Sequence, residues 1–492
     1  MKSYSNSIFS LSTAFLLSGI LNCSFAQNSW VKELPGVGTC SSPRVTDLNG
    51  DGTGDIIIGA GREEFKKCDS AIVALDGKTG EIIWKLPAAD QMFGSAALKD
   101  ITGDGVMDIF ISGRASKLQA INGKTGTIIW KFDDPDKKKK WNKRTWYNFY
   151  NPQFVPDQNG DGIEDILISN GGNVRKKPYD PIRPVGYLVV MNTLTGSVLS
   201  KAPMPDGRET YMSVAAVKSQ DNNDMNVIYG SGGETIGGHL YVTRLSDVMK
   251  GDISGSVELD SSETKGFIAP PVWIDITNDK VPDIIANSVD GRLLAYDGST
   301  YKKLWQVYMP NTEVYSSIAT GYFNRDYVPD FFVSYGQGVW PTLEWSKQFM
   351  VNGATGQVEF VDSVGFYQTS TPVVADFTED GVDDALLVVN YIETDDLLRR
   401  FFHSMLMVVD FTKNQIIEFG VKSNGHNLST TPWVGDMDND HYLDIIYSHG
   451  TNLRHTYSFD GMKVERIATK IPIKREVKWG AYMGSNYDGV FR

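Results

Sequence analysis

The chain repeats one short acidic segment, and this repetition restricts the possible folds more than any other feature. The copy DITGDGVMDIFISG, residues 100–113, places oxygen-bearing side chains at alternating positions and then continues into apolar residues. Further copies begin at Asp47, Asp157, Asp275, Asp376 and Asp436. Most copies begin roughly 50 to 60 residues apart. Repeats of this length are typical of arrays or closed rings rather than of several unrelated domains.

Two more copies are degenerate. One begins at Tyr322, where tyrosine replaces the first aspartate, and residues 213–233 contain a copy whose carboxylates are out of register. With these copies, the repeats start near residues 40, 93, 150, 211, 267, 315, 369 and 429. Eight units therefore account for residues 27–492, which we expect to form a single domain.

Each unit has the pattern of a four-stranded antiparallel blade. In the first unit, two short apolar runs flank the acidic segment, and two more are joined by the turn GKTG at residues 77–80. Glycine supplies the positive φ that such hairpins require. A lone blade cannot protect its faces and edges, so the blades should close into an all-β, eight-bladed β-propeller, with seven blades as the alternative.

The ends of the chain offer two ways to close this ring. Residues 29–35, SWVKELP, look like the fourth strand of a blade without the first three, and we expect them to pair with the last blade. The C-terminal segment VKWGAYMGSNYDGVFR, residues 477–492, is a second candidate for sealing the same seam.

The N-terminal residues predict export. Lys2 precedes an apolar stretch, and Ser24-Phe25-Ala26 has the small-x-small pattern of a cleavage site, so residues 1–26 read as a signal peptide. The stretch is too short to cross a bilayer and no later one is longer, so we expect no transmembrane segment and a periplasmic, cell-surface or extracellular location. Lipid anchoring at Cys23 is the alternative, although Asn22 is a poor residue before a lipidated cysteine.

Composition and cysteine content limit the partners and the covalent structure. The net charge of −13 disfavours nucleic acid and anionic lipid. Cys40 and Cys68 both lie in the first unit. In an exported protein the two are expected to form one disulfide, and two free buried thiols are the alternative.

The acidic segments have the spacing of a metal-binding loop. Counted from the first aspartate, side-chain oxygens fall at positions 1, 3, 5 and 9, and a backbone carbonyl is available at position 7. About six to eight hard oxygen ligands suit calcium. An EF-hand would require a glutamate at position 12 and flanking helices, which these segments lack.

The candidate ligands recur in seven copies. They are Asp47, Asn49, Asp51, Thr53 and Asp55; Asp100, Thr102, Asp104, Val106 and Asp108; Asp157, Asn159, Asp161, Ile163 and Asp165; Asp275, Thr277, Asp279, Val281 and Asp283; Asn324, Asp326 and Asp330; Asp376, Thr378, Asp380, Val382 and Asp384; and Asp436, Asp438, Asp440, Tyr442 and Asp444. The alternative is a set of ordinary Asx turns satisfied by water and backbone. Repetition at one place in each unit favours several structural Ca²⁺ ions that couple metal binding to stability.

These loops resemble the FG-GAP repeats of the integrin α-subunit propeller and their bacterial relatives. The resemblance covers nearly the whole mature chain and is carried by the repeated D-x-[NTD]-x-D-x-x-x-D spacing. It implies a propeller with calcium in the loop between the first two strands of each blade. The fourth and sixth copies depart from the pattern, so the resemblance implies no intact site there.

A second motif resembles the docking motif of quinoprotein-type propellers. ALDGKTGEIIW, residues 74–84, matches A-x-D-x-x-T-G-x-x-x-W. In that family the tryptophan packs between blades, so we expect Trp84, Trp130 and Trp305 to contact neighbouring blades rather than a cofactor. Pyrroloquinoline quinone dehydrogenases commonly carry an adjacent cysteine pair, which this chain lacks.

The long insertions should lie on the face opposite the acidic loops. They are residues 133–153, 171–186, 334–347 and 390–404. The first mixes cations with aromatic side chains, which can anchor a protein or a polysaccharide. The predicted partner-binding residues are Trp141, Arg144, Trp146, Tyr147 and Tyr150. The alternative is a solvated loop whose aromatic side chains cover blade edges.

The sequence therefore predicts a secreted, calcium-stabilised β-propeller that binds a protein or polysaccharide partner. Catalysis has little support, because the six histidines are scattered and no G-x-S-x-G or H-E-x-x-H motif occurs. We name no catalytic residue. A calcium-dependent polysaccharide lyase, or another propeller enzyme, is the alternative.

Overall fold

The computed structural model describes residues 28–140, 143–173, 176–221, 223–339, 342–366, 370–427, 429–452 and 458–492. The predicted signal peptide, with Cys23, lies outside these residues, as does Trp141. Within the described ranges the strands form eight antiparallel sheets, which confirms an all-β, eight-bladed propeller. No helix in these ranges is long and apolar enough to span a membrane.

The first half of the ring follows the strand order expected from the repeats. After β1 (Trp30–Pro35), blade 1 contains β2 (Arg44–Thr46), β3 (Asp55–Gly59), β4 (Cys68–Leu75) and β5 (Ile82–Ala88). Blade 2 contains β6 (Ala97–Lys99), β7 (Asp108–Gly113), β8 (Lys117–Ile121) and β9 (Ile128–Lys131). Blade 3 contains β10 (Asn148–Phe149), β11 (Gln153–Val155), β12 (Asp165–Gly171), β13 (Tyr187–Met191) and β14 (Val198–Pro203). Blade 4 contains β15 (Ala215–Lys218), β16 (Met225–Gly230), β17 (Gly238–Arg244), α1 (Leu245–Lys250) and β18 (Val257–Ser262).

The second half repeats this arrangement. Blade 5 contains β19 (Val272–Ile274), β20 (Asp283–Ser288), β21 (Arg292–Tyr296) and β22 (Lys303–Tyr308). Blade 6 contains β23 (Thr312–Glu313), β24 (Ala319–Gly321), β25 (Asp330–Gln337), β26 (Ser346–Val351) and β27 (Val358–Asp362). Blade 7 contains β28 (Val373–Ala375), β29 (Asp384–Thr394), β30 (Arg400–Asp410) and β31 (Gln415–Asn424). Blade 8 contains β32 (Trp433–Gly435), β33 (Tyr442–Gly450) and β34 (Gly461–Pro472).

The N-terminal strand closes the ring, as predicted. β1 pairs antiparallel with β34, with Trp30 opposite Arg466 and Pro35 opposite Gly461. It therefore serves as the fourth strand of blade 8. Pairing the two ends of the chain in one blade removes the free sheet edges that an open ring would expose.

The C-terminal segment does not seal this seam, and that expectation is wrong. Instead, residues 473–492 cross the central channel, where the first strands of the blades meet. The Trp479 indole donates to the Ile318 carbonyl over 2.9 Å, and the Arg44 guanidinium donates to the Tyr482 carbonyl over 3.0 Å. The last residues also bond with β19, since the Trp273 N–H donates to the Gly489 carbonyl. The segment therefore acts as a plug that fills the axis.

The blades pack against one another through strands that are apolar on both faces. β3, β7, β12 and β20 are buried along their whole length. Strands with both faces covered read as nearly continuous apolar runs rather than as alternating ones. The repeated runs after each acidic loop thus supply the interfaces between blades.

The tryptophan docking prediction is confirmed. The indole nitrogens of Trp30, Trp84, Trp130 and Trp305 donate to Gly77, Gly123, Thr193 and Gly353 of the next blade over 2.8 to 2.9 Å. Each acceptor lies in the turn between the third and fourth strands. At Gly80, where φ is +74°, a Cβ would approach the Trp30 ring within 2.6 Å. Glycine is therefore required both by the turn and by the ring.

The predicted disulfide is not formed, because Cys40 and Cys68 belong to different parts of blade 1. Both thiols are free. Cys68 begins β4 and pairs with Ala88, whereas Cys40 lies at the axis, where the Gln91 amide approaches its sulfur at 3.9 Å. Burial raises the pKa of the Cys40 thiol, so it stays in the unreactive protonated form.

Candidate functional site

The last aspartate of most acidic loops is a buried link between two turns. In blade 1, Asp55 accepts hydrogen bonds from the Leu48 and Gly77 N–H groups, both at 2.8 Å. The equivalent residues are Asp55, Asp108, Asp165, Asp283, Asp330, Asp384 and Asp444, each at most 2% exposed. Burial raises the pKa of Asp55 to about 6, although these hydrogen bonds oppose the shift. The position-9 carboxylate therefore holds the acidic loop against the turn between the third and fourth strands.

The earlier loop positions form a regular set of backbone turns. Asp47 accepts from the N–H groups of Gly50 at 2.7 Å and Gly52 at 2.9 Å. The Asp51 N–H donates to Asn49 Oδ1, and Asp51 Oδ1 in turn accepts from Thr53, both over 2.9 Å. These are the Asx turns of the alternative interpretation, and they also hold the side chains of positions 1, 3 and 5 along one rim.

The structure adds a contributor that the sequence interpretation missed. A residue in the turn between the third and fourth strands, Asp or Asn, lies beside each of several loops. Asn122 donates to Asp104 over 3.0 Å, and Asn352 donates to Asp326 over 2.8 Å. In blade 1 this position is Asp76, which accepts from Asn49 over 2.9 Å. An Asp or Asn next to the GKTG-type turns was the available sequence signal.

Among the described acidic loops, the loop of blade 7 has the most buried side-chain oxygens without a hydrogen-bond partner. Thr378 Oγ1, Asp380 Oδ2 and Asp384 Oδ1 are buried and have no hydrogen-bond partner among the described residues. Burial, reinforced by the neighbouring carboxylates of Asp410 and Asp380, raises the pKa of Asp384 to about 8. Buried oxygens without donors are destabilising, and a hard cation would satisfy all three. The residues present therefore fit calcium.

The eighth loop already contains a cation from the protein. The carboxylate oxygens of Asp436, Asp438 and Asp444 lie within 4.8 Å of one another. Arg466, only 1% exposed, reaches Asp438 at 2.6 Å and Asp444 at 3.0 Å, and it also donates to Gly77 of blade 1 over 3.1 Å. The guanidinium thus neutralises two of the three carboxylates, and the loop needs a metal less than the loop of blade 7 does.

The sixth loop keeps two turns of the others, since the Asp326 N–H donates to Asn324 Oδ1 and the Val328 N–H donates to Asp326 Oδ1, but it lacks the first aspartate. The backbone N–H of Tyr322 donates to Asp383 of blade 7 over 2.8 Å. The Asn324 side-chain amide donates to Asp330 over 3.2 Å, so it presents a donor where a ligand oxygen was predicted. Burial raises the pKa of Asp330 to about 7. The predicted metal ligands Asn324, Asp326 and Asp330 stay a prediction, and this loop has at least one carboxylate fewer among its predicted ligands than the other copies.

The predicted partner-binding role is wrong for three of the five residues, because the structure buries them. Trp146, Tyr147 and Tyr150 are 6%, 4% and 8% exposed. Trp146 packs on Phe132 with ring centroids 4.8 Å apart, and the Lys201 ammonium lies 3.7 Å from its ring centre. These aromatic side chains cover blade edges, as the alternative interpretation expected, because burial in the inter-blade core is more favourable than exposure.

The other two predicted residues do not form an exposed patch with them. Arg144 is half-buried, and its guanidinium donates to the Lys137 carbonyl over 3.1 Å. Trp141 lies outside the described residues.

Other large apolar side chains are exposed on the same face. They belong to the insertions of blades 3, 6 and 7, which connect the second and third strands and so lie opposite the acidic loops. Tyr179, Ile182, Val339, Trp345, Leu397 and Leu398 are between 50% and 83% exposed. Sequence reasoning missed them because they lie in loops, where no strand periodicity shows which side chains are exposed.

A groove separates the insertions of blades 6 and 7. Its volume is about 570 Å³, and its walls include Trp345, Phe366, Tyr391, Ile392 and Arg400. β29 and β30 form one wall, because both are 11 residues long and project beyond the blade. The groove therefore combines an aromatic wall with a cation at its rim.

Comparisons with known proteins agree with the fold. A family model described as the FAM234A/B beta-propeller matches residues 60–177. No curated protein sequence matches the chain. The resemblance to FG-GAP repeats stays a prediction, since the matching model represents another propeller family.

Solved structures of similar shape are distant in sequence. The quinohemoprotein alcohol dehydrogenase ADHIIG from Pseudomonas putida has a TM-score of 0.54 at 12% identity, covering 91% of this chain and 78% of its own. Sqt1 from Saccharomyces cerevisiae has a TM-score of 0.55 at 9% identity, covering 91% and 99%. BamB from Moraxella catarrhalis has a TM-score of 0.48 at 12% identity, covering 89% and 100%. At such identities the likeness extends to the propeller fold alone.

Proposed function

We propose that this protein is an exported, calcium-stabilised β-propeller that binds a protein partner on the face opposite the acidic loops. The exposed apolar side chains around the groove of blades 6 and 7 carry this proposal. Trp345 is 61% exposed and Leu398 is 83% exposed. Large apolar side chains that are exposed together on one face are typical of interaction sites.

The groove has the composition of a protein interface rather than of a glycan site. Its lining contains Trp345, Tyr391 and Ile392 together with the exposed charged residues Glu344 and Arg400. Aromatic anchors surrounded by polar residues are typical of the positions that contribute most to protein binding. The partner should therefore insert apolar side chains between the two insertions.

Calcium supports this function from the other face. In blade 7, Asp376, Thr378, Asp380, Asp384 and the Val382 carbonyl would hold the ion. When bound, calcium would supply positive charge to carboxylates that burial keeps from ionising. Asp384 already links the loop to the blade by accepting from the Thr378 N–H over 2.8 Å. A firm loop would fix the start of β29, which continues into the groove wall.

The test is capture of the partner by immobilised mature protein, followed by affinity measurement with the purified partner. Trp345→Ala should weaken binding at least tenfold, because an aromatic anchor is worth more than about 1.4 kcal/mol at an interface. Tyr327→Ala is the matched control, because Tyr327 is 93% exposed in an acidic loop on the opposite face.

Full affinity in the Trp345→Ala variant would contradict the proposed groove. Equal losses in both variants would contradict the choice of face. Both side chains are exposed, so neither substitution is expected to impair folding.

A further inference from the structure

A cavity lies on the axis of the ring, on the face that carries the insertions. Its volume is about 340 Å³, and residues from the connections between blades line it, with Tyr482 of the C-terminal plug at its inner end. Small-molecule sites have volumes of roughly 300 to 1,000 Å³. The cavity is therefore large enough for one small ligand.

The cavity wall is built by a ring of hydrogen bonds between blades. Just before the first strand of most blades, a Ser, Thr or Asn side chain accepts from the backbone N–H of the preceding blade. Ser42 N–H donates to Ser95 and Ser95 N–H donates to Asn151, both over 2.9 Å. Blades 7 and 8 continue the pattern, since Thr371 N–H donates to Thr431 over 3.2 Å, and Thr431 N–H donates to Ser42 of blade 1 over 3.0 Å. Such a wall is preorganised, which favours ligand binding.

Aromatic rings supply the apolar part of the lining. Phe93 and Tyr150 pack edge to face at 5.6 Å, and Tyr150 packs against Tyr211 at 6.1 Å. Tyr315 and Tyr482 also line the cavity. The lining thus offers apolar ring faces beside hydroxyl groups, which suits a ligand with both C–H and O–H surfaces.

The charged groups of the cavity and its surroundings are paired. Arg114 contacts Glu64 at 2.6 Å, and Lys265 contacts Glu313 at 2.6 Å. Because these charges neutralise one another, the lining residues that the structure describes present no unpaired charge that would require an ionic ligand. A neutral ligand fits this lining better than an anion or a cation does.

Two buried side-chain atoms of lining residues have no hydrogen-bond partner among the described residues. They are Gln91 Oε1, an acceptor on a side chain only 1% exposed, and Arg114 Nε, a donor. The Arg114 backbone N–H donates to the Gln91 carbonyl over 3.0 Å, so the two residues are neighbours. Buried polar atoms normally have partners, and a hydroxyl group can donate to the one and accept from the other.

We propose that the axial cavity binds a neutral, polyhydroxylated ring compound, such as a monosaccharide. The ring would lie against the aromatic walls, and one hydroxyl would bind Gln91 and Arg114 once these side chains turn toward the cavity. This inference goes beyond the proposed protein-binding groove. Trp345 does not line the cavity, so either proposal can fail while the other holds.

The test is isothermal titration of the whole mature protein with D-glucose, D-galactose, D-mannose and N-acetyl-D-glucosamine, and with choline and citrate as charged probes. At least one neutral sugar should bind saturably at one site. Gln91→Leu should weaken that binding about tenfold or more, because it removes the unpaired acceptor while nearly preserving volume.

Gln119→Leu is the matched control. Gln119 is also buried, at 5% exposure, and its Nε2 also lacks a partner in the described part of the chain, but it lies on β8 outside the cavity. This variant should keep the wild-type affinity, and thermal melting of both variants reports folding. The proposal is overturned if no sugar binds, if choline or citrate binds more tightly, or if Gln91→Leu keeps full affinity.

Discussion

At the scale of single residues, burial determines how carboxylates of this propeller ionise. Glu209 is 1% exposed and lies 3.6 Å from Arg183. Burial raises its pKa to about 7, despite the opposing effect of the Arg183 charge. The stabilising contribution of Glu209 is therefore complete below its unfolded pKa of about 4.5 and is lost as the pH rises through 7.

Glu209→Gln should remove this pH dependence. Between pH 5 and pH 8 the wild-type free energy of unfolding should fall by up to about 3 kcal/mol more than that of the variant, because glutamine does not ionise. Urea unfolding at several pH values measures the difference. Glu81→Gln, at a 75% exposed side chain, should keep the wild-type slope. Parallel curves for wild type and Glu209→Gln would contradict the prediction.

Arg466 is a second residue whose effect depends on burial. Arg466→Met should lower the free energy of unfolding by about 3 to 5 kcal/mol, because it leaves Asp438 and Asp444 buried without a counter-charge. Millimolar calcium should restore part of the loss by replacing the guanidinium. Denaturation with and without calcium measures both effects, and a loss that calcium leaves unchanged would show that the eighth loop cannot accept a metal.

At the scale of elements, each acidic loop joins the first two strands of its blade. Most of these loops also bond to the turn between the third and fourth strands. The backbone hydrogen bonds of this assembly come from the protein itself, as at Asp55, while buried oxygens at Thr378, Asp380 and Asp384 lack donors in the described structure. Loop architecture and cation demand are therefore separable. The backbone turns recur around most of the ring, whereas buried oxygens without donors are most numerous in the described loop of blade 7.

Asp384→Asn should reduce the calcium-dependent part of the stability. In wild-type protein, calcium at about 100 times its dissociation constant should add about 2.7 kcal/mol at one site, and a chelator should remove it. The variant should lose much of this response. Asp221→Asn, in the degenerate fourth unit, is the control and should respond as the wild type does. Thermal melting with calcium or chelator measures the difference, and identical responses in all three proteins would exclude the blade 7 site.

At the scale of the whole molecule, β1 closes the ring and the C-terminal plug fills its axis. β1 completes blade 8, and the C-terminal plug packs Trp479, Met483 and Val490, each under 8% exposed, against the first strands of the blades. The axis is consequently a packed core at the plug and a cavity beyond it. Residues that are far apart in sequence meet there, as Arg44 and Tyr482 do.

Trp479→Ala should destabilise the entire ring. Removing this side chain, which is 1% exposed, should cost about 3 to 5 kcal/mol through lost burial and the cavity left behind. Trp345→Ala, at an exposed tryptophan, should change stability by less than about 0.5 kcal/mol. Denaturant midpoints of the two variants provide the comparison, and similar midpoints would show that the plug does not support the ring.

Much of the fold could be predicted because it depends on local, repeated patterns. The strand runs and GKTG turns predicted blades, residues 29–35 predicted the closing strand, and Trp84 predicted docking onto the next blade, which the structure confirms. The site was less predictable. Asp76 reaches its loop from the turn between the third and fourth strands, and the only signal in the sequence is an Asp or Asn beside each GKTG-type turn, which does not show what it contacts.

The sequence by itself determined the propeller and the positions of its acidic loops, because period, turn chemistry and apolar runs act within one blade. Only the tertiary structure decided which side chains are available. Trp146 and Tyr150 became buried while Trp345 remained exposed, and Arg466 came to lie between two aspartates. Burial and charge pairing depend on neighbours brought together by ring closure, so the same residue type can serve as core, anchor or counter-charge.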